Sequence, residues 1–413
     1  MKALRNYIDK LKPHFEKGGK LEKFHSVFDG FETFLFVPNT TSKSGVHMHD
    51  ARDSKRTMSI VILALVPALL FGMYNIGYQH NLALGTDPGF FQTFLFGLLA
   101  FLPLIIVSYV VGLGIEFVTA QIKGEEIAEG FLVSGILIPM IMPIDTPLWM
   151  IALATAFAVI FAKEVFGGTG YNVFNVALVA RAFLFFAYPS HMSGDEVFVR
   201  TKGIFGFGSP EIIDGVVQTA DGFSGATMLG QLAITEAPSF TSSLFTSIND
   251  GAVSLMDMFL GFIPGSVGEV STLAILLGAL ILIVTGVGSW KTILSVFVGG
   301  GATALLINQF AVNPVMGMTP LYHFVLGGFA FGAVFMATDP VTSARTEKGK
   351  WIYGFLVGAM AVTIRVFNPG YPEGMMLAIL FMNAFAPLID FYVVDGNIKK
   401  RIKRSAINKK ERV

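Results

Sequence analysis

The chain has 413 residues, of which 53% are hydrophobic and 14% charged, with a formal net charge of zero. A soluble domain carries about 25% charged residues, so much of this surface is not built for water, and intrinsic disorder and ordinary nucleic-acid binding are excluded. The chain has no cysteine, which excludes disulfides, zinc–thiolate sites and cysteine-ligated iron–sulfur clusters within it.

In chain order, residues 1–56 are soluble, basic and amphipathic. Leu4, Ile8, Leu11 and Phe15 recur at helical spacing, the pattern of a segment lying on a membrane surface rather than of a signal peptide. Within it, His47-Met48-His49-Asp50 reads as a solvated loop, because a metal would need further ligands nearby. A transmembrane helix needs about 20 mostly apolar residues. Ten candidates follow: 57–79, 91–118, 130–143, 147–163, 173–189, 271–288, 291–311, 321–338, 351–367 and 374–394. A long loop, 190–270, splits them five and five, and a basic tail, 395–413, follows the last.

Lysine and arginine set the orientation. Eleven of the 29 lie in 1–56 and eight in 395–413. With both ends cytoplasmic, the inner turns hold Lys123, Lys163, Lys291, Arg345, Lys348 and Lys350, while the outer turns 80–90, 144–146 and 312–320 hold none. The loop 190–270 is then extracytoplasmic. Trp149, Trp290 and Trp351 all stand at span ends, as an interfacial belt requires.

The two groups of five look related. Val165-Phe166-Gly167-Gly168-Thr169-Gly170-Tyr171 precedes a span containing Ala182-Phe183, and Val366-Phe367-Asn368-Pro369-Gly370-Tyr371 precedes one containing Ala384-Phe385. Asp145 and Asp339 occupy corresponding turns. Five crossings are an odd number, so the second copy, 271–394, is inverted relative to the first, 57–189. Inverted repeats with interrupted spans mark pathways at the repeat interface. The third span, 130–143, is short and contains Pro139, so a broken or half-length helix is expected there. The predicted fold is thus an all-α polytopic membrane protein of ten transmembrane helices in two inverted five-helix repeats.

Ionisable residues inside spans are candidates for function. Glu116, Asp339 and Asp390 offer the hard oxygen ligands that sodium prefers, and are the candidates for a cation path; ion pairing with Arg181 or Arg365, or solvation at the headgroups, is the alternative. Asp145, at the outer surface beside prolines, is a weaker one. In the outer loop, Asp221-Gly222-Phe223-Ser224-Gly225-Ala226-Thr227 is a small-residue turn presenting one threonine hydroxyl. No His or Lys adjoins Thr227, so it is not an activated nucleophile; it can receive a group from another enzyme or simply cap a loop. Asn172 and Asn175 lie three apart at the start of the fifth span, a spacing that places two amides on one helical face, with helix capping as the alternative. The run Gly167-Gly168-Thr169-Gly170 is not a P-loop, because no Lys-Ser/Thr follows it.

The loop motif resembles the flavinylation motif Asp-Gly-x-Ser-Gly-Ala-Thr, and nearly the whole chain resembles the B subunits of sodium-translocating NADH:quinone oxidoreductases. The resemblance is carried by Ala162-Lys163-Glu164-Val165-Phe166-Gly167-Gly168-Thr169-Gly170, by Arg181-Ala182-Phe183-Leu184-Phe185-Phe186-Ala187-Tyr188-Pro189, by Ile263-Pro264-Gly265-Ser266-Val267-Gly268-Glu269-Val270-Ser271-Thr272-Leu273 and by Pro372-Glu373-Gly374-Met375-Met376-Leu377-Ala378-Ile379-Leu380. It implies FMN joined through its phosphate to Thr227 by a flavin transferase, within the motif residues Asp221, Ser224 and Gly225, and a non-covalent riboflavin at Asn172 and Asn175. Val176 stands where the family has a proline, and Gly112-Leu113 stands where it often has two adjacent glycines, so Gly112 marks the expected quinone wall. Phe24, Phe28, Phe31 and Phe34 of the N-terminal segment are further quinone candidates, or simple packing. Implied partners are an NADH-, FAD- and iron–sulfur-bearing subunit, a second FMN subunit, small membrane subunits, quinone and sodium, with no nucleic acid, in the bacterial cytoplasmic (inner) membrane. Two other readings remain: the related flavinylated subunit of an ion-pumping ferredoxin:NAD oxidoreductase, and an inverted-repeat transporter without redox chemistry. The basic extension 1–56 favours the quinone enzyme over the first.

Overall fold

Six helices in the structure, a computed structural model, are long and apolar enough to cross a membrane. The structure describes residues 2–15, 54–123, 130–193, 197–204, 225–235, 239–247, 251–368 and 372–410, with isolated positions between them. The amphipathic start forms α1 (Lys2–Phe15). The long apolar helices of the first half are α2 (Ser54–Leu84), α3 (Phe90–Lys123) and α5 (Leu148–Phe166). Between and after them come two short ones, α4 (Phe131–Met140) and α6 (Val176–Ala187). The segment 190–270 carries α7 (Met228–Ile234) and α8 (Leu255–Leu260). The second half contains α9 (Thr272–Val284), α10 (Trp290–Asn308), α11 (Pro320–Val325), α12 (Phe329–Phe331, running on as a π turn Gly332–Met336), α13 (Glu347–Phe367) and α14 (Met375–Lys410). Among the described residues the strands are limited to the antiparallel pair Ile212–Ile213 and Val216–Val217. The protein is therefore an all-helical, multi-pass membrane protein.

The third span of the first half is short, as its length and Pro139 lead one to expect: α4 has ten residues. The span 321–338, read from the sequence as continuous, is broken as well. Gly327 and Gly328 both adopt positive φ, 62° and 67°, a conformation open to glycine at little cost, and the helix stops at Val325 and restarts at Phe329.

A helix that ends among other helices leaves carbonyls that must find donors, and both broken helices find an arginine. Arg181 of α6 donates to the Ile141 carbonyl just past α4. Ser266 Oγ donates to the same oxygen at 3.2 Å, and the Gly268 amide donates to the Met140 carbonyl at 2.8 Å. Arg365 of α13 donates to the His323 and Leu326 carbonyls, at 2.8 and 2.9 Å, at the end of α11. A fixed positive charge suits a helix C-terminus, so each guanidinium satisfies hydrogen bonds and the local dipole together. Two π turns, Ala158–Lys163 at the end of α5 and Gly332–Met336 in α12, complete the irregular centre; such turns recur at functional sites.

Helices α10 and α13 pack through glycines. A Cβ added at Gly358 would meet the Val296 carbonyl oxygen and, at 2.6 Å, the Gly300 amide nitrogen. The segment predicted as a long loop has its own small core, in which Met228, Leu229, Leu232, Phe245, Val253, Met258 and Ile263 pack with Met318 and Leu326 around α11. That core holds Thr227 against the break in α11.

Candidate functional site

Two chambers flank α12. The first, about 110 Å³, is bordered by Asn172, Asn175, Thr338 and Asp339, with Lys163, Thr169 and apolar side chains of α2, α4 and α12. Its amides do not sit on one helical face as the spacing predicts. The helix begins only at Val176, and both asparagines precede it on the turn formed by the glycine run. Asn175 is the N-cap of α6, its Oδ1 accepting from the Ala177 and Leu178 amides at 3.1 and 3.3 Å. Its Nδ2 donates to Asp339 at 3.1 Å. Asn172 Nδ2 donates to the Phe174 carbonyl at 3.1 Å. Capping, which the sequence left as an alternative for Asn172, falls to Asn175.

The second chamber, about 30 Å³, is bordered by Thr227, the 263–270 turn, the broken backbone Val325–Gly328 and Glu373. Thr227 is the N-cap of α7; its Oγ1 accepts from the Gly230 amide at 3.1 Å. Gly225 is buried nearby, while Asp221 and Ser224 lie outside the described residues. Two carboxylates border this chamber, and both belong to Arg181. Glu269 meets Arg181 Nη1 at 2.8 Å, and Glu373 pairs with Nη2. Arg181 is thus bound to acids that the sequence reading did not single out, both of which stand in Gly- and Pro-containing turns just before apolar spans.

The three candidate cation ligands separate. Glu116 is buried on α3 and ion-pairs with Lys163 rather than with an arginine. Asp339 accepts from Asn175, from Thr342 Oγ1 at 3.0 Å and from the Val341 amide at 3.0 Å. Asp390 closes the turn before α13, accepting from the Arg345 amide at 2.7 Å, the Thr346 amide at 3.0 Å and Thr346 Oγ1 at 2.6 Å. An asparagine keeps one acceptor oxygen and loses the charge. D390N should therefore cost about 1–3 kcal/mol locally, read as faster amide hydrogen exchange over 345–349; unchanged protection there would refute this anchoring role. Asp145 lies 3.4 Å from Arg200 Nη1. Gly112 is buried in the α3–α4 contact against the Phe131 ring and borders neither chamber. Phe28 stacks on Phe15 with centroids 4.5 Å apart; Phe24, Phe31, Phe34 and 47–50 lie outside the described residues. No group of three or more metal-ligating side chains occurs among the described residues.

Lys163 is the residue that sequence reasoning missed most. It borders the first chamber and also a vestibule of about 290 Å³ formed by Glu116, Thr119, Lys123, Glu164, Thr169 and Tyr171.

Residues 41–399 match the NQR2, RnfD, RnfE family. The chain is 45% identical to the B subunit of the Na(+)-translocating NADH-quinone reductase of Chromohalobacter salexigens, over 98% of this chain and 97% of that protein. It is 43% identical to the protein of the same name from Yersinia pestis, over 97% and 98%, and 42% identical to that from Pseudomonas aeruginosa, over 98% and 100%. A full-length match of this depth places the chain in the NQR2, RnfD, RnfE family.

Proposed function

We propose that this chain is the B subunit of a sodium-translocating NADH:quinone reductase, a translocase component that relays electrons through FMN esterified to Thr227 and riboflavin in the first chamber while sodium moves outward. The observation that carries the reading is the placement of Thr227 and of the Asn172–Asn175 pair on chambers at opposite ends of α12. Gly328 borders the second chamber and Phe335 the first; seven residues of helix rise roughly 10 Å. The full-length relatives share the N-terminal extension and are named for the quinone enzyme, which supports it over the ferredoxin enzyme.

The residues bordering the first chamber fit the chemistry of a flavin edge, and Thr227 offers the hydroxyl that a phosphoester needs. Around the first chamber, amides, hydroxyls and a carboxylate offer donors and acceptors to the edge of a planar heterocycle, and Thr169 Oγ1 is buried without a partner. At the second, Thr227 is partly buried at a helix start and borders the chamber. Bound flavin supplies the electron transfer; the protein sets its place and surroundings. Asn172 and Asn175 would hold the edge of the riboflavin ring, with Asn175 also hydrogen-bonded to Asp339, and an ester at Thr227 would keep the FMN from diffusing away. Glu116, Asp339 and Asp390 are proposed for the ion path and Gly112 for the quinone wall.

The six long apolar helices, the three shorter ones and the broken α11–α12 support ten crossings in two inverted five-helix halves, 57–189 and 271–394, with 1–56 and 395–413 cytoplasmic and 190–270 extracytoplasmic. The charge distribution supports both ends inside, and the bacterial relatives support the bacterial inner membrane. Partners follow from the same reading: a subunit carrying NADH, FAD and iron–sulfur chemistry, a second FMN subunit, small membrane subunits and a flavin transferase. The test is Thr227→Asn, which keeps the cap and removes the hydroxyl. The complex should assemble, the subunit should lose its in-gel flavin fluorescence and the FMN mass on its Thr227 peptide, and quinone reduction should fall to background. Covalent FMN retained in T227N would reject the assignment.

A further inference from the structure

Asn175 is almost fully committed where it borders the first chamber. Its Oδ1 caps α6, its carbonyl accepts from the Val179 amide at 3.0 Å, and one hydrogen of its Nδ2 goes to Asp339 at 3.1 Å. A side-chain amide nitrogen carries two hydrogens, so the second Nδ2 hydrogen is what remains for a ligand. A donor reduced to one hydrogen must be aimed, and aiming it requires a fixed backbone.

The helix alone does not fix that backbone, because the N–H of an N-cap residue lies outside the helical ladder. Here the N–H of Asn175 finds Asn383 of α14, which is 1% exposed. One orientation of the Asn383 amide suits all its neighbours. Its oxygen accepts from the Asn175 N–H at 3.2 Å, and its nitrogen donates to Tyr353 Oη at 2.8 Å and to the Ile379 carbonyl at 3.2 Å. Turned over, the nitrogen would face that N–H. Tyr353, on α13, is buried as well, and neither residue borders the chamber. An amide and a phenol are costly to bury in an apolar interior unless bonded, and here their bonds lead to the chamber through Asn175. Tyr353 and Asn383 stand seven residues along their helices from Thr346 and Asp390, which are themselves hydrogen-bonded. Seven residues make about two turns, so both contacts lie on one α13–α14 seam. The turn before α6, in the first half, is thus held by a helix pair of the second.

We infer that Asn383 is a positioning residue for the flavin of the first chamber: it holds the Asn175 backbone so that the free Nδ2 hydrogen stays aimed at the ligand, and Tyr353 holds Asn383. This rests on the reading of that chamber as a riboflavin site, while the hold on Asn175 has a readout of its own. Another device that fixes the same backbone should replace it. Val176 is the first residue of α6, a position where proline is favoured because its φ is preset and no helical hydrogen bond is lost. Asn175, at φ −65° and ψ 123°, already has the extended backbone that a following proline requires. Val176→Pro should therefore repair the loss of Asn383.

The experiment follows release of non-covalent riboflavin from the whole purified complex after dilution, by the recovery of its free fluorescence, with covalent FMN on Thr227 measuring intact subunit. A hydrogen bond supporting a ligand is worth up to about tenfold, so Asn383→Leu should release riboflavin about tenfold faster with FMN undiminished. N383L/V176P should return to near the wild-type rate. Tyr353→Phe should give a smaller acceleration, also repaired by V176P. Ser295→Ala breaks a hydrogen bond between α10 and α13 instead, that of Ser295 to the Trp351 carbonyl, and should leave release unchanged. The inference falls if N383L releases riboflavin at the wild-type rate, if V176P repairs nothing, or if S295A does equal harm. Should N383L fail to assemble, a Y353F complex that is unchanged, or that V176P does not repair, overturns it equally. A wild-type complex without riboflavin would reject the reading of the chamber and not the hold on Asn175. Amide exchange at Ala177 and Leu178, which Asn175 Oδ1 caps, then decides: faster exchange in N383L, restored in N383L/V176P, upholds the hold, and unchanged exchange overturns it.

Discussion

Arg181→Gln is expected to abolish accumulation of the folded subunit. The Arg181 side chain is 2% exposed and holds Glu269, Glu373 and the Ile141 carbonyl together. Glutamine is shorter and uncharged, so the substitution leaves two buried carboxylates facing one another with no cation between them. Breaking one buried pair costs about 3–5 kcal/mol, and here two pairs and a helix end fail at once. A protein holds only about 5–15 kcal/mol in total. The measurement is the amount and melting temperature of detergent-extracted subunit within the complex. Glu269→Gln, which leaves Arg181 paired with Glu373 and removes one negative charge, should be far milder. Equal damage from E269Q and R181Q, or a melting point for R181Q within about 2 °C of wild type, would show that the cluster is not what holds α4 and α6 in place.

The second large effect is expected at Gly358. Helices α10 and α13 approach so closely that a Cβ there meets main-chain atoms on the facing helix, the Val296 carbonyl and the Gly300 amide. Backbone has no rotamer to move aside. Gly358→Val must force the helices apart along a seam that also includes Gly299, Gly300 and Gly354, and overpacking of this kind costs about 1–3 kcal/mol or more. Close approach through small residues is a main source of helix association in lipid, so the loss should appear as poor assembly of the second half, read by protease sensitivity of α13. The control is Gly396→Ala in α14, where a Cβ meets nothing within 4 Å; the change should be neutral or gain up to about 1 kcal/mol from helix propensity. Should G358V and G396A assemble equally well, the glycine seam is not a packing interface.

Much of this architecture was legible from run lengths alone. An apolar stretch long enough to cross a bilayer seldom forms anything but a membrane helix, and α2, α3, α5, α10, α13 and α14 each overlap such a stretch. The short α4 announced itself through Pro139. The break at Gly327–Gly328 did not, because one apolar run covers it and a glycine pair inside such a run also serves close packing. The asparagines were found, but the helix began later than their spacing implied, because Asn175 is worth more as a cap than as a first-turn residue. Pairings were the hidden part. Glu269 and Glu373 lie 88 and 192 residues from Arg181, and Lys163 lies 47 from Glu116. No local pattern joins residues so far apart; only the folded helices do. Lys163 was further disguised by standing at a span end, where a lysine is ordinarily read as a topological marker.

The pairing of Arg181 with Glu373 has a consequence for biogenesis. Helix α6 has only 12 residues and carries a charge near its centre. An arginine at mid-helix resists insertion by about 2.5–3.5 kcal/mol, so α6 is a poor membrane segment when it leaves the ribosome. One of its neutralising carboxylates is 192 residues further along the chain. At about 5–20 residues per second, that glutamate is synthesised roughly 10–40 s later. The nearer carboxylate, Glu269, follows after 88 residues, so the Arg181 cluster is completed in two steps, and the first five helices hold all of their buried ion pairs only once the chain has been made as far as the start of α14.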